Sequence, residues 1–83
     1  MAKPRGKKSS KDKDPELVAL GRRLHRLRRA AALTQEQVAE AAELHWTYVA
    51  QVERGERNLT YRSILKLARG LGVPATQLMP PES

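Results

Sequence analysis

The sequence predicts an all-α fold of five helices preceded by a basic N-terminal arm, and two observations carry that prediction. Apolar residues recur three and four positions apart through most of residues 14–80, which places them on single faces of helices. No window alternates apolar and polar residues for long enough to predict a strand. The 83 residues allow one domain, and the lack of cysteine excludes both a disulfide framework and a thiolate metal site.

Residues 1–13 differ in composition from the rest of the chain. The formal net charge is +7, and residues 1–14 hold six basic and two acidic side chains, a net of +4. This lysine-rich stretch has almost nothing apolar to bury, so we expect a disordered arm that either follows phosphates or is a solvated tail. The other residues carry a net charge of only +3, so charge alone does not establish a polyanionic partner, and the arrangement of the side chains has to support it.

The first helix is predicted to begin after Asp14, a suitable N-cap, with Pro15 at the first helical position. It should end near Ala31. Its inward face is expected to hold Leu17, Leu20, Leu24, Leu27 and Ala31. Its opposite face should expose to water Arg22, Arg23, Arg26 and Arg29.

Two short helices are predicted within residues 34–53. Thr34 is an N-cap, and Gln37 three positions later completes a capping box. The second helix should span residues 35–42 and turn inward Val38, Ala39 and Ala42. The third should start near His45, which takes the N-cap position, and should turn Val49 and Val52 inward before ending at Glu53. Its outer face would then hold Trp46, Thr47, Ala50 and Gln51.

The third helix carries side chains suited to base recognition. Two short helices joined by a tight turn, here filled by Leu44, form a rigid unit whose second helix can enter a groove about 12 Å wide. Thr47 offers a hydroxyl and a methyl group, and Gln51 offers the donor and acceptor that match adenine. The spacing therefore predicts a helix-turn-helix at residues 34–53 that binds double-stranded DNA.

The C-terminal third of the chain predicts two more helices. Thr60 should cap a fourth helix that runs to about Leu71, where Gly72 takes the left-handed C-terminal position. Pro74 should open a short fifth helix, and a Pro-Pro pair should stop it before a tail of residues 81–83. These two helices are the expected homodimer surface, formed by Leu71, Val73, Leu78 and Met79.

The run LGRRLHRLRRAAALTQEQVAEAAELHWTYVAQVERGERNLTYRSILKLARGLGV resembles the lambda-repressor-like helix-turn-helix domain of phage repressors, Cro and Xre-type regulators, and the resemblance covers residues 16–79. The segment LHWTYVAQVERGERNLT is closer still to the controller proteins of restriction-modification systems, which are small dimers that regulate their own operon. The resemblance implies a sequence-specific transcription regulator, of controller or autoregulatory type, that binds a near-palindromic operator as a dimer. Half-sites would lie about one helical turn, or roughly 34 Å, apart.

The same resemblance assigns roles to individual side chains. It implies a partly buried salt bridge between Arg28 and Glu53. Base reading is expected from Trp46, Thr47 and Gln51. Contacts to the DNA backbone are expected from Gln35, Tyr48, Arg54, Arg57, Asn58 and Arg62. Of these, Gln35 begins the second helix, where free amide groups and the helix dipole favour an anion.

Two residues depart from the family pattern. Glu43 stands in the turn, where glycine is usual because the backbone there is left-handed. Trp46 stands where controller-like relatives have a polar or basic base-reader. A tryptophan can pack on thymine methyl groups, but it can equally fold back onto the domain or contact a protein. The alternative function is therefore a protein-interaction module, such as an antitoxin, with Trp46 in the partner interface.

Several classes of function are excluded by what the sequence lacks. His25 and His45 are twenty residues apart without an acidic cluster, so we expect no metal site and no cofactor. No nucleophile is paired with a base, so we expect no enzyme, and no small-molecule ligand is expected either. No apolar run suits a membrane span or a secretory signal. The expected location is the cytoplasm, in association with the nucleoid.

Overall fold

The computed structural model describes residues 14–79, and within this part of the chain there is no strand, which confirms the all-α class. Four α-helices are present: α1 (Pro15–Ala30), α2 (Gln35–Ala42), α3 (Trp46–Glu53) and α4 (Tyr61–Leu71). A 3-10 helix follows at Ala75–Gln77. The predicted arm at residues 1–13 and tail at residues 81–83 lie outside the described residues. None of the helices described is both long and apolar enough to cross a membrane.

The predicted fifth α-helix is wrong in type, because the segment is a single 3-10 turn. The amide groups of Gln77 and Leu78 donate to carbonyl oxygens three residues earlier, each at 3.0 Å. Pro74 contributes no amide hydrogen at the start of this segment, and Pro80 follows closely. The short stretch between the two prolines has room for only one tight turn.

The predicted caps are present at the starts of all four α-helices, including His45 before α3. Asp14 accepts a hydrogen bond from the amide of Glu16 at 2.9 Å. Thr34 and Gln37 form both halves of the capping box, at 3.0 and 2.9 Å. Thr60 accepts from the amide three residues later at 3.0 Å. These local bonds satisfy amide groups that a helix start otherwise leaves without a partner, and they explain why the starts could be predicted closely.

The core lies between α2 and the helices on either side of it. Helix α2 packs against both α3 and α4, and α1 packs against α3. The central cluster of buried side chains consists of Leu24, Val38, Ala39, Ala42, Val49, Val52, Leu67, Ala68, Leu71 and Leu78. The predicted inward position of Ala31 is wrong, since this residue is exposed. It is the C-cap of α1, where the helical face that packs on the core has already ended.

The 3-10 segment closes the core rather than leaving it open. Leu78 is fully buried and Leu71 is 7% exposed, so both side chains pack in the core of the single chain. Their predicted place on the dimer surface is therefore wrong. The guanidinium of Arg23 donates from Nε to the carbonyl of Gln77 at 2.7 Å, which ties α1 to this segment. Arg23 was expected to face water, but this bond makes it half-buried.

Gly21 marks the closest approach of α1 to α3. A Cβ atom at Gly21 would lie 2.3 Å from the carbonyl oxygen of Val52 and 2.7 Å from that of Glu53. Neither oxygen belongs to a flexible side chain, so no small adjustment makes room for a methyl group. Glycine is therefore required at this position, where it lets α1 lie directly on the C-terminal end of α3.

Candidate nucleic-acid interface

The turn between α2 and α3 fixes the angle between these two helices. Glu43 adopts the left-handed conformation, with φ 60° and ψ 44°, as its place in the turn predicted. The amide of Leu44 donates to the carbonyl of Ala39 at 2.8 Å, a bond that wraps the chain around the end of α2. His45 then serves as the N-cap of α3. Helix α3 consequently leaves the turn in one defined direction.

One side of α3 is covered and the other is open. Val49 and Val52 are buried as predicted, whereas the expected outer position of Ala50 is wrong, since Ala50 is only 6% exposed. Ala50 lies one turn before Glu53, on the side of α3 that α1 covers. Thr47 is exposed and Gln51 is half-buried; they are four residues apart and share the open side.

Trp46 stands beside the open face rather than at its centre. It lies four residues before Ala50, so it points to the same side of the helix as that buried residue. In the first turn it is nevertheless 46% exposed. The rings of Trp46 and His45 are stacked, with centroids 6.4 Å apart and planes at 28°. This geometry presents an aromatic edge at the beginning of α3.

The loop after α3 folds back onto that helix through Arg57. The guanidinium carbon of Arg57 lies 4.9 Å from the centre of the Tyr48 ring, a cation–π contact. The same side chain donates a hydrogen bond to Oε1 of Gln51 at 3.2 Å. Three of the predicted DNA contacts are thus joined in one group. These contacts were not predicted, because the spacing of residues along the sequence does not show where a loop returns to its helix.

The remaining predicted backbone contacts surround this group. Asn58 and Arg62 are exposed. Arg54 forms an ion pair with Glu56, with Nε 3.2 Å from Oε1. In the protein without DNA, the guanidinium of Arg54 therefore already interacts with a neighbouring carboxylate.

Behind α3, Glu53 is the centre of a polar network. Its side chain is only 6% exposed, and Arg28 approaches both carboxylate oxygens, with Nε 2.5 Å from Oε2 and a terminal nitrogen 3.1 Å from Oε1. His25 lies 3.1 Å from Oε1 through its Nδ1. Arg28 also donates to the carbonyl of Leu33 at 2.8 Å, which extends the network to the segment between α1 and α2.

The network lowers the pKa of Glu53. Burial of the carboxyl group acts to raise the pKa, but hydrogen bonds from Arg28, Gln35 and His25, together with the positive charge of Arg28, outweigh it. The net effect is a pKa below the ordinary value of 4.5. The carboxylate is therefore charged at neutral pH and holds α1 against the end of α3.

Gln35 faces this network instead of the solvent. Its side-chain nitrogen donates to Oε1 of Glu53 at 3.0 Å, and the residue is half-buried. The side-chain amide of Gln35 is therefore already engaged within the protein, and its predicted contact with a phosphate stays a prediction. Arg29 and Thr34 lie next to Gln35 in an open cleft at this helix start.

The chain and its fold match those of helix-turn-helix proteins. A family model described as a helix-turn-helix domain matches residues 19–79. The control protein C.SmaI of Serratia marcescens is 45% identical over 47 residues, which are 57% of this chain and 56% of that protein. An uncharacterized HTH-type transcriptional regulator, y4dJ of Sinorhizobium fredii, is 39% identical over 62 residues, which are 75% of this chain and 80% of that protein.

A solved structure extends the likeness to three dimensions. The restriction-modification controller protein C.AhdI from Aeromonas hydrophila superimposes with a TM-score of 0.78 and 42% sequence identity. The match covers 80% of this chain and 100% of that chain. The whole of that small protein therefore has a counterpart here, whereas the match to C.SmaI covers little more than half of its length.

Proposed function

The chain belongs to the helix-turn-helix domain family of DNA-binding transcription regulators, and from this premise we propose that it binds a near-palindromic operator as a homodimer. In this proposal α3 enters the major groove of double-stranded DNA and reads bases, while the loop after it and the start of α2 contact phosphates. The relatives described above are regulators and controller proteins rather than enzymes, and we assign this chain no catalytic role.

One observation carries the proposal most directly. Arg57 contacts both Tyr48 and Gln51, so a loop residue and two residues of α3 form one preassembled polar surface. A guanidinium that is already stacked and hydrogen-bonded loses less freedom when it binds DNA. The bond to Oε1 of Gln51 also orients its amide group, which leaves the Nε2 donor and one lone pair of Oε1 for a base.

The distribution of charge supports phosphate contacts beside this surface. Arg29 is exposed at the cleft next to α2, and Arg62 is exposed in the first turn of α4. These positive charges lie before and after α3 in the chain. In this proposal Arg62 contacts the phosphate backbone, as the sequence predicted, and Arg29 adds a positive charge next to the start of α2.

We also propose a homodimer, but fewer of the predicted interface residues are available to form it. Leu71 and Leu78 pack inside the single chain, which leaves Val73, half-buried, and Met79, 42% exposed, as the members of that set with free surface. We propose that two chains meet at this end, so that two copies of α3 reach successive major grooves. Equilibrium sedimentation that finds only monomer at micromolar concentration would contradict this part.

The closeness to C.AhdI over that entire chain supports a controller-type, autoregulatory role. In that role the protein would act on its own operon from the cytoplasm, in association with the nucleoid. A reporter fused to the chain's own upstream region would respond to added protein if the role is correct. If the reporter does not respond, and the operator obtained by selection is absent from this upstream region, autoregulation is contradicted. The proposal of DNA binding would still stand.

In vitro selection from a randomised duplex library tests the central proposal. We expect a two-fold symmetric consensus, and binding that weakens about 10³–10⁵-fold between roughly 50 and 200 mM salt if ~6–10 phosphates are contacted. Arg57→Gln should weaken binding strongly, whereas the matched loss of one charge at Arg26→Gln on α1 should change it little. Failure to enrich any sequence would contradict the proposal.

The second candidate, a protein-interaction module, is favoured by Trp46, which is 46% exposed at the start of α3. An exposed tryptophan is a common anchor of protein interfaces. The salt dependence of the affinity distinguishes the two functions. The affinity of an apolar protein contact would hardly change over the salt range in which DNA binding is lost.

A further inference from the structure

His45 makes two hydrogen bonds to Thr47 through a single ring nitrogen. The amide of Thr47 donates to Nδ1 of His45 at 3.2 Å, which caps the start of α3. The hydroxyl oxygen of Thr47 lies 2.8 Å from the same Nδ1. A histidine in the N-cap position thus contacts the side chain of a residue that we place against the bases.

The directions of these two bonds follow from the backbone. An amide N–H can only donate, so Nδ1 must be unprotonated and the ring hydrogen of neutral His45 must be on Nε2. An unprotonated Nδ1 has a lone pair and no hydrogen, so the hydroxyl of Thr47 must donate to it as well. The only hydrogen of that hydroxyl is therefore directed at His45, and its lone pairs remain for another partner.

We propose that neutral His45 makes Thr47 a hydrogen-bond acceptor toward DNA, so that Thr47 selects an exocyclic amino group. In the major groove these groups are N6 of adenine and N4 of cytosine, whereas guanine O6 and thymine O4 offer only acceptors. His45 is then a positioning residue, which determines specificity through Thr47 without touching a base. This inference rests on the proposed function and adds the base class that one position of the operator should contain.

Protonation of His45 would reverse the polarity of the side-chain bond. The imidazolium has hydrogens on both nitrogens, so Nδ1 would donate to the oxygen of Thr47 and the hydroxyl hydrogen would be free to donate to guanine or thymine. The amide of Thr47 would lose its acceptor at the same time.

The surroundings of His45 contain no other group that competes for Nδ1. Within residues 14–79, the hydrogen bonds and the ring stacking of the His45 side chain are those with Thr47 and Trp46 at the start of α3. The carboxylates nearest in the chain, Glu40 of α2 and Glu43 of the turn, are both exposed and form no ion pair with it. The only other histidine of this region is His25, which belongs to the network of Glu53.

His45→Asn is the matched variant for the test. Asparagine is a good N-cap whose side-chain oxygen accepts hydrogen bonds and does not titrate, and the variant keeps His25. Any pH response that persists in His45→Asn therefore comes from elsewhere in the molecule. Thr47→Val removes the hydroxyl at nearly constant shape and identifies which operator position Thr47 reads.

The first measurement uses the free full-length protein. Amide and ring-nitrogen resonances, followed by NMR from about pH 8 to pH 5, should show the Thr47 amide moving together with the His45 ring. The Thr47 amide of His45→Asn should not move with that transition. A His45 ring that titrates while the Thr47 amide of the wild type stays unmoved would overturn the inference without any reference to DNA.

The second measurement uses the operator obtained by selection at about pH 8, with each base in turn at the Thr47 position. We expect the wild type to prefer adenine or cytosine there by about three- to tenfold, the value of one net hydrogen bond. Near pH 5 the preference should shrink or reverse in the wild type and persist in His45→Asn. A wild-type preference for guanine or thymine at the higher pH, or identical pH responses of the two proteins, would overturn the inference. A selection that yields no operator would instead refute the proposed function, and the NMR result would still decide the hydrogen bond.

Discussion

Arg28 and Glu53 lie 25 positions apart in the chain and form a two-point ion pair that joins α1 to the last residue of α3. Both side chains are almost fully enclosed, with 11% and 6% of their surfaces exposed. Removing one partner of such a pair leaves a charge without compensation in a place that water barely reaches. The ion pair therefore stabilises the fold and also helps to keep α3 at a fixed angle to α1.

Glu53→Gln should lower the free energy of unfolding by about 3 kcal/mol or more, since the guanidinium of Arg28 loses its countercharge. Urea unfolding at neutral pH measures this loss. Glu36→Gln, an exposed position in the first turn of α2, is the control and should change stability by less than about 1 kcal/mol. Similar small effects in the two variants would mean that the ion pair contributes little.

The pKa of Glu53 predicts a direction of acid sensitivity. The folded-state pKa lies below the ordinary value of 4.5, so the folded state binds the proton less readily than the unfolded chain does. The resulting stability is present at pH values above 4.5 and is lost as the pH falls through and below that value. Unfolding midpoints measured from neutral pH to about pH 3 should therefore fall more steeply for the wild type than for Glu53→Gln. Parallel pH profiles would contradict the assignment.

Gly21→Ala should destabilise the protein although alanine is the better helix former by about 1 kcal/mol. The added methyl group would overlap carbonyl oxygens of α3, and we expect a net cost of about 1–3 kcal/mol. The displacement of α3 should also reduce operator affinity. Ala19→Gly, at an exposed position of α1, provides the comparison, with only the helix-propensity loss of about 1 kcal/mol expected. Unchanged or increased stability of Gly21→Ala would refute the close contact.

Glu43→Gly should stabilise the protein by about 0.5–1 kcal/mol, because Glu43 has φ 60° and glycine adopts this conformation without a steric penalty. The gain is reduced by the greater freedom of glycine in the unfolded chain. Thermal unfolding checks the sign. Gly72→Ala at the end of α4, where φ is 75°, should give the opposite change, and equal signs in the two variants would show that backbone strain is not the cause.

Arg57→Lys keeps the positive charge but loses the planar group that stacks on Tyr48 and bonds Gln51. Affinity for random duplex should therefore remain within about twofold, while affinity for the selected operator should fall about tenfold or more. Titration of both duplexes at one salt concentration gives the ratio. A uniform fall on both would assign Arg57 to phosphate binding alone.

The parts of the structure that local chemistry determines were predictable from the sequence. A capping side chain acts within three residues of its target, so Thr34 and Thr60 identify helix starts without knowledge of the rest of the fold. The resemblance implied a left-handed backbone in the turn although Glu43 replaces the usual glycine, and its φ of 60° agrees with this. In such cases the cause and the effect lie within one short stretch of chain.

The errors concern contacts between distant parts of the chain. Whether Ala50 faces water depends on where α1 crosses α3, and the burial of Leu78 depends on a 3-10 turn that folds over the core. Arg23 was assigned to solvent because its target is a carbonyl 54 positions away. In the interface, the contacts of Arg57 with Tyr48 and Gln51 were missed for a different reason. These residues are close in the chain, but helical periodicity does not describe a loop that folds back onto its helix.

The contact at Gly21 has a consequence for how this protein could change its target. The atoms that Gly21 meets are main-chain oxygens, which every amino acid supplies, and the residues assigned to base reading take no part in that contact. Substitutions of the base-reading residues Trp46, Thr47 and Gln51 can therefore leave the packing of α3 on α1 unchanged. Retargeting by substitution, in evolution or in the laboratory, would leave the scaffold intact as long as glycine remains at position 21.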